Sequence, residues 1–307
     1  MFAYGPVPSR RLGMSIGVSP IPPKTCSYSC VYCQLGRTTT LQVKRESFFP
    51  KEQIFADIDK VVEKSDADYI PFVGDGEPTL CKDLGWLIDE SKKVFGLPVA
   101  VITNGSLLYL EDVRNDLMSS DVVLPTLDAG SEEVFNRINR PYGKVTFSKM
   151  LQGLVDFRAE YEGKIWVEVM LVKSVNDDDN SLKDIKNAVD SVNPDRVYIV
   201  VPIRPPAESW VEPASPERII SAQGILGESL DITGREIGEF GVGEFSDAGE
   251  AIYELCSRHP LREEQALVIE QKFDQKGTVN KMINTSKLVK IKYQGENYIL
   301  PKKFIIK

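Results

Sequence analysis

The stretch KTCSYSCVYCQLG, residues 24–36, places three cysteines within eight residues. These are Cys26, Cys30 and Cys33, and their spacing is C-x3-C-x2-C. A secreted protein that depends on disulfides usually has an even number of cysteines, spread along the chain. This chain has five cysteines, three of them clustered, so the pattern indicates ligands of a metal or a cluster in a reducing compartment.

Three kinds of site could use these thiols. A structural zinc ion takes four ligands, usually as two pairs, and the remaining cysteines and the single histidine lie far from the motif. A redox-active C-x-x-C pair would use Cys30 and Cys33 and would leave Cys26 without a role. An iron–sulfur cluster with three thiolate ligands and one open iron uses all three cysteines, and the spacing therefore favours such a cluster.

Residues 14–215 alternate short apolar runs with amphipathic stretches. The runs are rich in β-branched residues and nearly continuous, which is typical of strands buried on both faces of a parallel sheet. They are MSIGVSPI (14–21), DYIPFVG (68–74), LPVAVITNG (97–105), DVVLPTLDA (121–129), IWVEVMLVKS (165–174) and DRVYIVVPI (195–203). Helical patterns cover 51–65, 83–95, 107–119, 146–161, 181–192 and 215–226. Six β–α units in series predict an α/β fold.

A polar or glycine-rich cluster follows every predicted strand. The clusters are the cysteine motif, GDGEPT, TNGS, DAGS, KSVND and RPPAE. In a β/α barrel the loops after all the strands share one face, and chemistry takes place there. A doubly wound sheet would concentrate such motifs at a single switch point. We therefore predict a partial (β/α)6 TIM-type barrel.

The cysteine motif after the first strand, together with the later clusters, resembles the radical S-adenosylmethionine (SAM) superfamily. The resemblance implies that Cys26, Cys30 and Cys33 bind three irons of a [4Fe-4S] cluster. It also implies that SAM chelates the fourth iron through its amino and carboxylate groups. Tyr32 stands where the family has an aromatic residue just before the third cysteine, near the adenine of SAM.

The same resemblance implies further SAM-binding positions. Gly74, Asp75, Gly76 and Glu77 stand where the family has a Gly-Gly-Glu-type motif that binds the SAM ammonium. Glycines let the backbone approach a ligand, and a carboxylate pairs with an ammonium. Because an aspartate replaces one glycine, either Asp75 or Glu77 supplies the charged contact. The candidates after the later strands are Thr103, Asn104, Asp128, Lys173, Asn176 and Arg204.

The chemistry that the resemblance implies is radical chemistry. A low-potential electron, expected from a ferredoxin or flavodoxin, leads to reductive cleavage of SAM into methionine and a 5'-deoxyadenosyl radical. That radical takes a hydrogen atom from a substrate, while the protein binds, orients and excludes water. Relatives with additional clusters need several more thiolates. Only Cys81 and Cys256 remain here, so we expect one cluster.

The rest of the chain is predicted to form a separate unit. Residues 227–250 are rich in glycine and acidic residues and are interpreted as a connector between the barrel, residues 1–226, and residues 251–307. The last segment has a helical pattern followed by a β-hairpin around residues 294–297. Helices followed by a basic hairpin are typical of a small winged-helix-like domain.

Charge is distributed unevenly along the chain. The net charge is -8, yet residues 271–307 contain nine lysines and two acidic residues, a local charge of +7. This basic tail indicates that an anionic partner docks at the C-terminus. The alternative is that the lysines only form a solvated surface. We find no signal-peptide pattern and no run of about 18 apolar residues, so we expect a cytoplasmic protein without a membrane span.

The stretches GEPTL, TNG, INRP and LVKSVND are similar to those of the tRNA wyosine-synthesis group of the superfamily, although the N-terminal cysteines of its second cluster are absent. This likeness implies an RNA substrate, with the basic tail contacting phosphates. The alternatives are radical modification of a peptide, a protein or a small molecule, and a redox sensor that binds DNA. A sensor would need no SAM site. The segment GPVPSRRLG either plugs the barrel or contacts an anion through Arg10 and Arg11.

Overall fold

The computed structural model of the chain describes residues 1–234 and 238–304. Its strands are β1 Ala3–Ser9, β2 Gly13–Val18, β3 Thr25–Cys26, β4 Thr40–Leu41, β5 Ile70–Val73, β6 Val99–Thr103, β7 Val122–Pro125, β8 Lys164–Met170, β9 Arg196–Val200, β10 Ser229–Asp231, β11 Leu261–Arg262, β12 Leu288–Tyr293 and β13 Glu296–Pro301. Its α-helices are α1 Lys51–Val62, α2 Leu84–Phe95, α3 Glu111–Leu117, α4 Glu132–Ile138, α5 Phe147–Glu160, α6 Asp179–Val192, α7 Pro216–Leu226, α8 Ala248–Cys256, α9 Glu263–Lys272 and α10 Thr278–Asn284.

The strand order of the main sheet explains why the motif-bearing loops lie on one face. Within the described residues it has eight strands in the order β1-β2-β5-β6-β7-β8-β9-β10. Neighbouring strands from β2 to β10 are parallel, and β1 is antiparallel to β2. The parallel strands follow one another in chain order, without the reversal that defines a doubly wound sheet. The predicted α/β class is confirmed, and the mixed sheet is consistent with a partial barrel.

All six predicted strands are present, as β2 and β5 to β9. The sequence analysis did not identify β1, β3, β4, β10, β11 or α4. Strand β1 contains Pro6 and Pro8, which lack an N–H donor, and prolines of this kind occur in edge strands such as β1. Strand β10 has only three residues and lies in the segment that we interpreted as a connector.

The helices between the strands of the main sheet each bury an apolar face. In α1 the buried residues are Ile54, Ile58 and Val61, whose spacing places them on one side of the helix. In α6 the buried residues recur in the same way, from Leu182 to Val192. None of the helices in the described part of the chain has the length and apolar character that a membrane span requires.

The segment after β10 does more than connect two units. Its Gly241 donates a backbone hydrogen bond to the carbonyl of Pro6 at 2.7 Å, and its Glu244 side chain accepts one from the amide of Gly5 at 3.0 Å. Both partners belong to β1, the antiparallel edge strand of the sheet. An uncovered edge presents unpaired backbone groups, so this segment protects β1.

The C-terminal unit has its own small core and its own sheet. Helices α8 to α10 pack with a three-stranded antiparallel sheet in the order β11-β13-β12. The predicted hairpin is confirmed, since β12 and β13 are joined by Gln294 and Gly295, both with positive φ, as a tight hairpin turn favours. Tyr4 and Phe240 belong to the same apolar cluster, so this unit packs directly on β1.

Two helical glycines provide a test of the packing. A Cβ at Gly153, in α5, would lie 2.3 Å from the backbone nitrogen of Tyr109, whereas one at Gly224, in α7, would meet nothing within 4 Å. We expect Gly153→Ala to destabilise the protein by about 1–3 kcal/mol through overpacking. The matched change Gly224→Ala should stabilise it by about 0.5–1 kcal/mol, because alanine is the better helix former. Thermal unfolding midpoints that move in the same direction for both variants would contradict this packing.

Candidate functional site

The cysteine loop is held by a segment that is distant in sequence. After β2 the chain enters residues 19–33, and the backbone amide of Ser29 donates to the carbonyl of Asn139 at 3.1 Å. The amide of Val31 likewise donates to the carbonyl of Ile138 at 3.0 Å. These bonds fix the loop against the end of α4, so the positions of the thiols depend on the INRP stretch.

The three cysteines of the motif line a single cavity of about 390 Å³ at the carboxyl ends of the strands. The side-chain amide of Asn104 lies 3.5 Å from the sulfur of Cys26, and that of Asn139 lies 3.6 Å from the sulfur of Cys30. Burial raises the pKa of the Cys26 thiol to about 12, and it raises the pKa of Cys30 and of Cys33 as well. Thiols in such surroundings become thiolates when a cationic ligand replaces their protons.

The donor set fits an iron–sulfur cluster better than a single ion. No group of three or more His, Cys, Asp or Glu side chains in the described residues could hold one metal ion. A four-iron cluster is wider than an ion and spreads its ligands further apart, as thiols around a shared cavity can do. The two amides beside the sulfurs are the hydrogen-bond donors that tune such clusters. Cys81 and Cys256 are buried and do not line this cavity.

The loop after β5 is locked by the carboxylate of Glu77, which is 1 % exposed. The Oε1 atom accepts from the amide and hydroxyl of Thr79 and from the hydroxyl of Thr103, and Oε2 accepts from the amide of Asn104. Burial raises the pKa of Glu77, and these hydrogen bonds act in the opposite direction. Since both oxygens are engaged, Glu77 joins the loops after β5 and β6.

Gly76 brings this loop against the cysteine loop. A Cβ at Gly76 would lie 1.8 Å from the carbonyl oxygen of Thr25, the residue before Cys26. The amide of Glu77 donates to the same carbonyl at 3.1 Å. The glycine is therefore required by close backbone approach, and it fixes the distance between Cys26 and the GDGEP loop.

Asp75 faces the C-terminal unit. Its carboxylate oxygen Oδ2 lies 3.7 Å from Nε of Arg258, and both side chains are about nine-tenths buried. Burial raises the pKa of Asp75, while the charge of Arg258 lowers it. Arg258 also donates to Glu254 and to the carbonyl of Met1. Of the two carboxylates in the motif, Asp75 is thus the one that a residue from outside the barrel contacts.

Tyr32 and Asp128 form one buried network. The hydroxyl of Tyr32 donates to Oδ2 of Asp128 at 2.5 Å, and Asn139 donates to the same oxygen at 2.8 Å. The amide of Met170 donates to Oδ1 at 2.8 Å. Burial raises the pKa of Asp128 to about 6. Tyr32 lines the cavity and Asp128 does not, so Asp128 acts by orienting Tyr32.

Besides Asp128, the structure leaves two more of the predicted residues away from the cavity. Asn176 is fully buried and donates to the carbonyls of Asp128 and Met170, so it braces the ends of β7 and β8. Lys173 is exposed and forms an ion pair with Glu212 at 2.5 Å. The sequence placed both correctly after β8 but could not show which way their side chains point. The other candidates, all of which line the cavity, are Tyr32, Gly74, Asp75, Gly76, Glu77, Thr103, Asn104 and Arg204.

Other residues of the cavity wall were missed in the sequence analysis. Arg258 and His259 come from the turn after α8, and Glu168 comes from β8. The hydroxyl of Tyr293 donates to the carbonyl of Pro202 at 2.8 Å, which helps to hold the C-terminal unit over the same face. Nothing in the sequence near these residues marks them as part of the site, because only tertiary packing brings them there.

This arrangement agrees with the comparison with known families. The chain belongs to the radical SAM superfamily, whose family model matches residues 21–185. The matched region includes the three cysteines and the loops after β5, β6 and β7. The general class proposed from the cysteine motif is therefore confirmed.

Similar proteins extend over more of the chain than the family model. A UPF0026 protein of Methanocaldococcus jannaschii is 37% identical over 97% of this chain and 95% of its own length. A UPF0026 protein of Helicobacter pylori strain J99 is 32% identical over 87% of both chains. A protein of Brachyspira hyodysenteriae named GTPase Obg is 44% identical over 66% of this chain but only 30% of its own length.

Solved structures share the fold. A radical SAM methyltransferase from Sphaerobacter thermophilus has a TM-score of 0.59 and 15% identity, over 72% of this chain and 67% of its own. The protein SuiB of Streptococcus suis with S-adenosylmethionine bound has a TM-score of 0.52 and 13% identity, over 70% of this chain and 49% of its own. At these identities the likeness concerns the fold alone.

The assignment of the cysteines has a direct test. Cys30→Ala removes one of three thiols that share the cavity, so the reconstituted protein should lose its iron–sulfur absorbance. Cys256→Ala is the control, since Cys256 lies in the core of the C-terminal unit. Iron and sulfide content and the visible spectrum report the result. A cluster retained at full content in Cys30→Ala would show that the ligand set is wrong.

Asn104 provides a test of the surroundings of the cluster. An N–H donor near a thiolate stabilises the more negative, reduced state, so Asn104→Ala should lower the reduction potential. Changes of this kind typically cost about 10–100-fold in metal affinity or activity. We would titrate the potential without SAM and use Asn136→Ala, on the exposed face of α4, as the control. An unchanged potential would exclude a role for the contact with Cys26.

Proposed function

We propose that this protein is a radical SAM enzyme that holds one [4Fe-4S] cluster and abstracts a hydrogen atom from its substrate. The observation that carries the proposal is the convergence of three thiols and the GDGEP loop on one cavity. When bound, the cluster and SAM supply reductive cleavage of SAM to a 5'-deoxyadenosyl radical. SuiB, which shares the fold, has been solved with SAM bound, and this supports a SAM site in the present chain.

The residues of the chain have separate roles in this proposal. Cys26, Cys30 and Cys33 hold the cluster. Gly76 leaves room for the close approach of the two loops, as the 1.8 Å contact of a Cβ there shows. Asp75 is proposed to face the SAM ammonium, because it lines the cavity and its carboxylate lies 3.7 Å from Arg258, beyond hydrogen-bond distance. The oxygens of Glu77, by contrast, already accept hydrogen bonds.

Electron supply and water exclusion follow from the same geometry. A low-potential donor such as a ferredoxin or flavodoxin is proposed to deliver the electron. The C-terminal unit contributes Arg258 and His259 to the cavity wall and so restricts access of water to the reacting groups. Exclusion of water prevents the loss of reactive intermediates.

For the substrate we propose RNA, in a wyosine-like tRNA modification. Eight lysines of the C-terminal unit are exposed, and the unit lies over the face that carries the cavity. Its order of a helix, a strand, two helices and a hairpin supports a winged-helix-like fold. Lysines in such an arrangement bind phosphates irrespective of sequence, and a base to be modified would be turned out of its stack into the cavity.

The test is formation of 5'-deoxyadenosine by the reduced, anaerobically reconstituted protein, with and without bulk tRNA. We expect stimulation by tRNA. A triple change of Lys287, Lys292 and Lys302 to alanine should raise the half-maximal tRNA concentration by about tenfold or more, since each phosphate contact adds affinity. The control changes Lys60, Lys93 and Lys183, which are exposed on barrel helices.

Each outcome of this experiment has a definite meaning. Cleavage that tRNA does not affect would retain the radical chemistry and exclude RNA in favour of a peptide, a protein or a small molecule. Equal effects of the two lysine triples would exclude the C-terminal unit as the RNA-binding surface. A reconstituted cluster with no cleavage of SAM would contradict the proposed reaction itself.

A further inference from the structure

The segment GPVPSRRLG has a place in the structure that the proposed function does not explain. It forms β1 and the turn to β2, and it carries Arg10 and Arg11 into the cavity from the amino-terminal side of the sheet. Arg204, from the loop after β9, belongs to the same wall. Three guanidinium groups thus border one cavity. Arg10 and Arg11 come from the turn before β2, and Arg204 comes from beside the cysteine loop, where it donates to Gln34.

The two arginines of the turn are held in fixed orientations. Nη1 of Arg10 donates to the carbonyls of Ile232 and Gly234, which pins the guanidinium against the segment after β10. Nη1 of Arg11 contacts the carboxylate of Glu168 on β8. The Nε atom of Arg11 is buried and makes no hydrogen bond within the described residues. A buried donor of this kind costs free energy until an acceptor reaches it.

Arg204 is placed by neighbouring side chains from two directions. It donates to Oε1 of Gln34 at 3.1 Å and contacts Nε2 of His259 at 2.7 Å. Burial, and after it the positive charge of Arg10, lowers the pKa of Arg204 to about 9. The same pair of causes, burial and then Arg10, lowers the pKa of Arg11 to about 10. The three arginines line the same cavity, and their positive charges act on one another.

We propose that Arg10, Arg11 and Arg204 form a subsite for an anionic group of the substrate, a phosphate or a carboxylate. The inference rests on the proposed function, because it assumes that the substrate enters this cavity. Guanidinium groups are suited to both anions, since their planar donors match two oxygens at once. Donors that are already oriented lose little entropy on binding.

Binding of inorganic phosphate and of acetate to the reconstituted protein, measured by calorimetry, tests the subsite without any radical chemistry. We expect Arg10→Gln to weaken phosphate binding by about tenfold or more, the loss typical of one charged hydrogen bond. Arg10→Lys should retain part of the affinity. Arg137→Gln, an exposed change on α4, is the matched control and should have no effect. The relative affinities of the two anions distinguish a phosphate substrate from a carboxylate substrate.

A second variant controls for misfolding as the cause of lost phosphate binding. The double change Arg11→Gln with Glu168→Gln removes a cation together with its carboxylate partner, so the net charge is unchanged, and it should also weaken phosphate binding. SAM affinity, measured separately, should stay within about twofold in all variants. No phosphate or acetate binding by the wild-type protein would overturn the subsite. Equal losses of SAM and phosphate affinity would overturn it too, because the arginines would then hold the SAM carboxylate.

The failures of the two proposals can be told apart. A wild-type protein that cleaves SAM but binds neither anion retains the proposed function and loses the subsite. A protein that binds phosphate through Arg10 but never cleaves SAM retains an anion site and loses the radical reaction. In that case the cavity binds an anion, but the inference that this anion belongs to a substrate of the radical reaction is wrong.

Discussion

The buried carboxylate of Glu77 is the interaction on which the site depends. Its two oxygens bind donors from the loops after β5 and β6, and its own amide binds the carbonyl of Thr25 in the cysteine loop. Three loops from three strands are thereby fixed around one group. A carboxylate is costly to bury, and its full complement of hydrogen bonds is what makes that burial possible.

The sheet brings those loops together in the first place. Its parallel strands follow one another in chain order, so each carboxyl end lies beside the next and the motifs form a continuous row. The sheet has two edge strands, β1 and β10, and the segment after β10 passes along β1. The protection of that edge also fixes Arg10, whose side chain reaches the carbonyls of the same segment.

The C-terminal unit is part of the cavity as well as a separate core. Arg258 lies between Glu254 of its own helix and Asp75 of the SAM-type loop, so the unit and the barrel share a buried charge pair. Removing Arg258 would leave the buried carboxylate of Asp75 without its cation, which is unfavourable, whereas Arg258 also pairs with Glu254. An aspartate where the family has glycine thus has a structural explanation in this chain.

The sequence by itself determined the six parallel strands β2 and β5 to β9, their order and the three thiols. Apolar runs and cysteine spacing are local patterns, and chain order fixes which loops share a face. The sequence could not reveal β1, because its prolines do not match the pattern of a strand within a sheet. It also could not show the orientation of the Asn176 and Lys173 side chains, because neighbouring residues of a loop point in different directions. Only the tertiary structure decided the walls of the cavity. Glu168, Arg258 and His259 line it although no sequence pattern marks them, because only packing in the sheet and between the units brings them there.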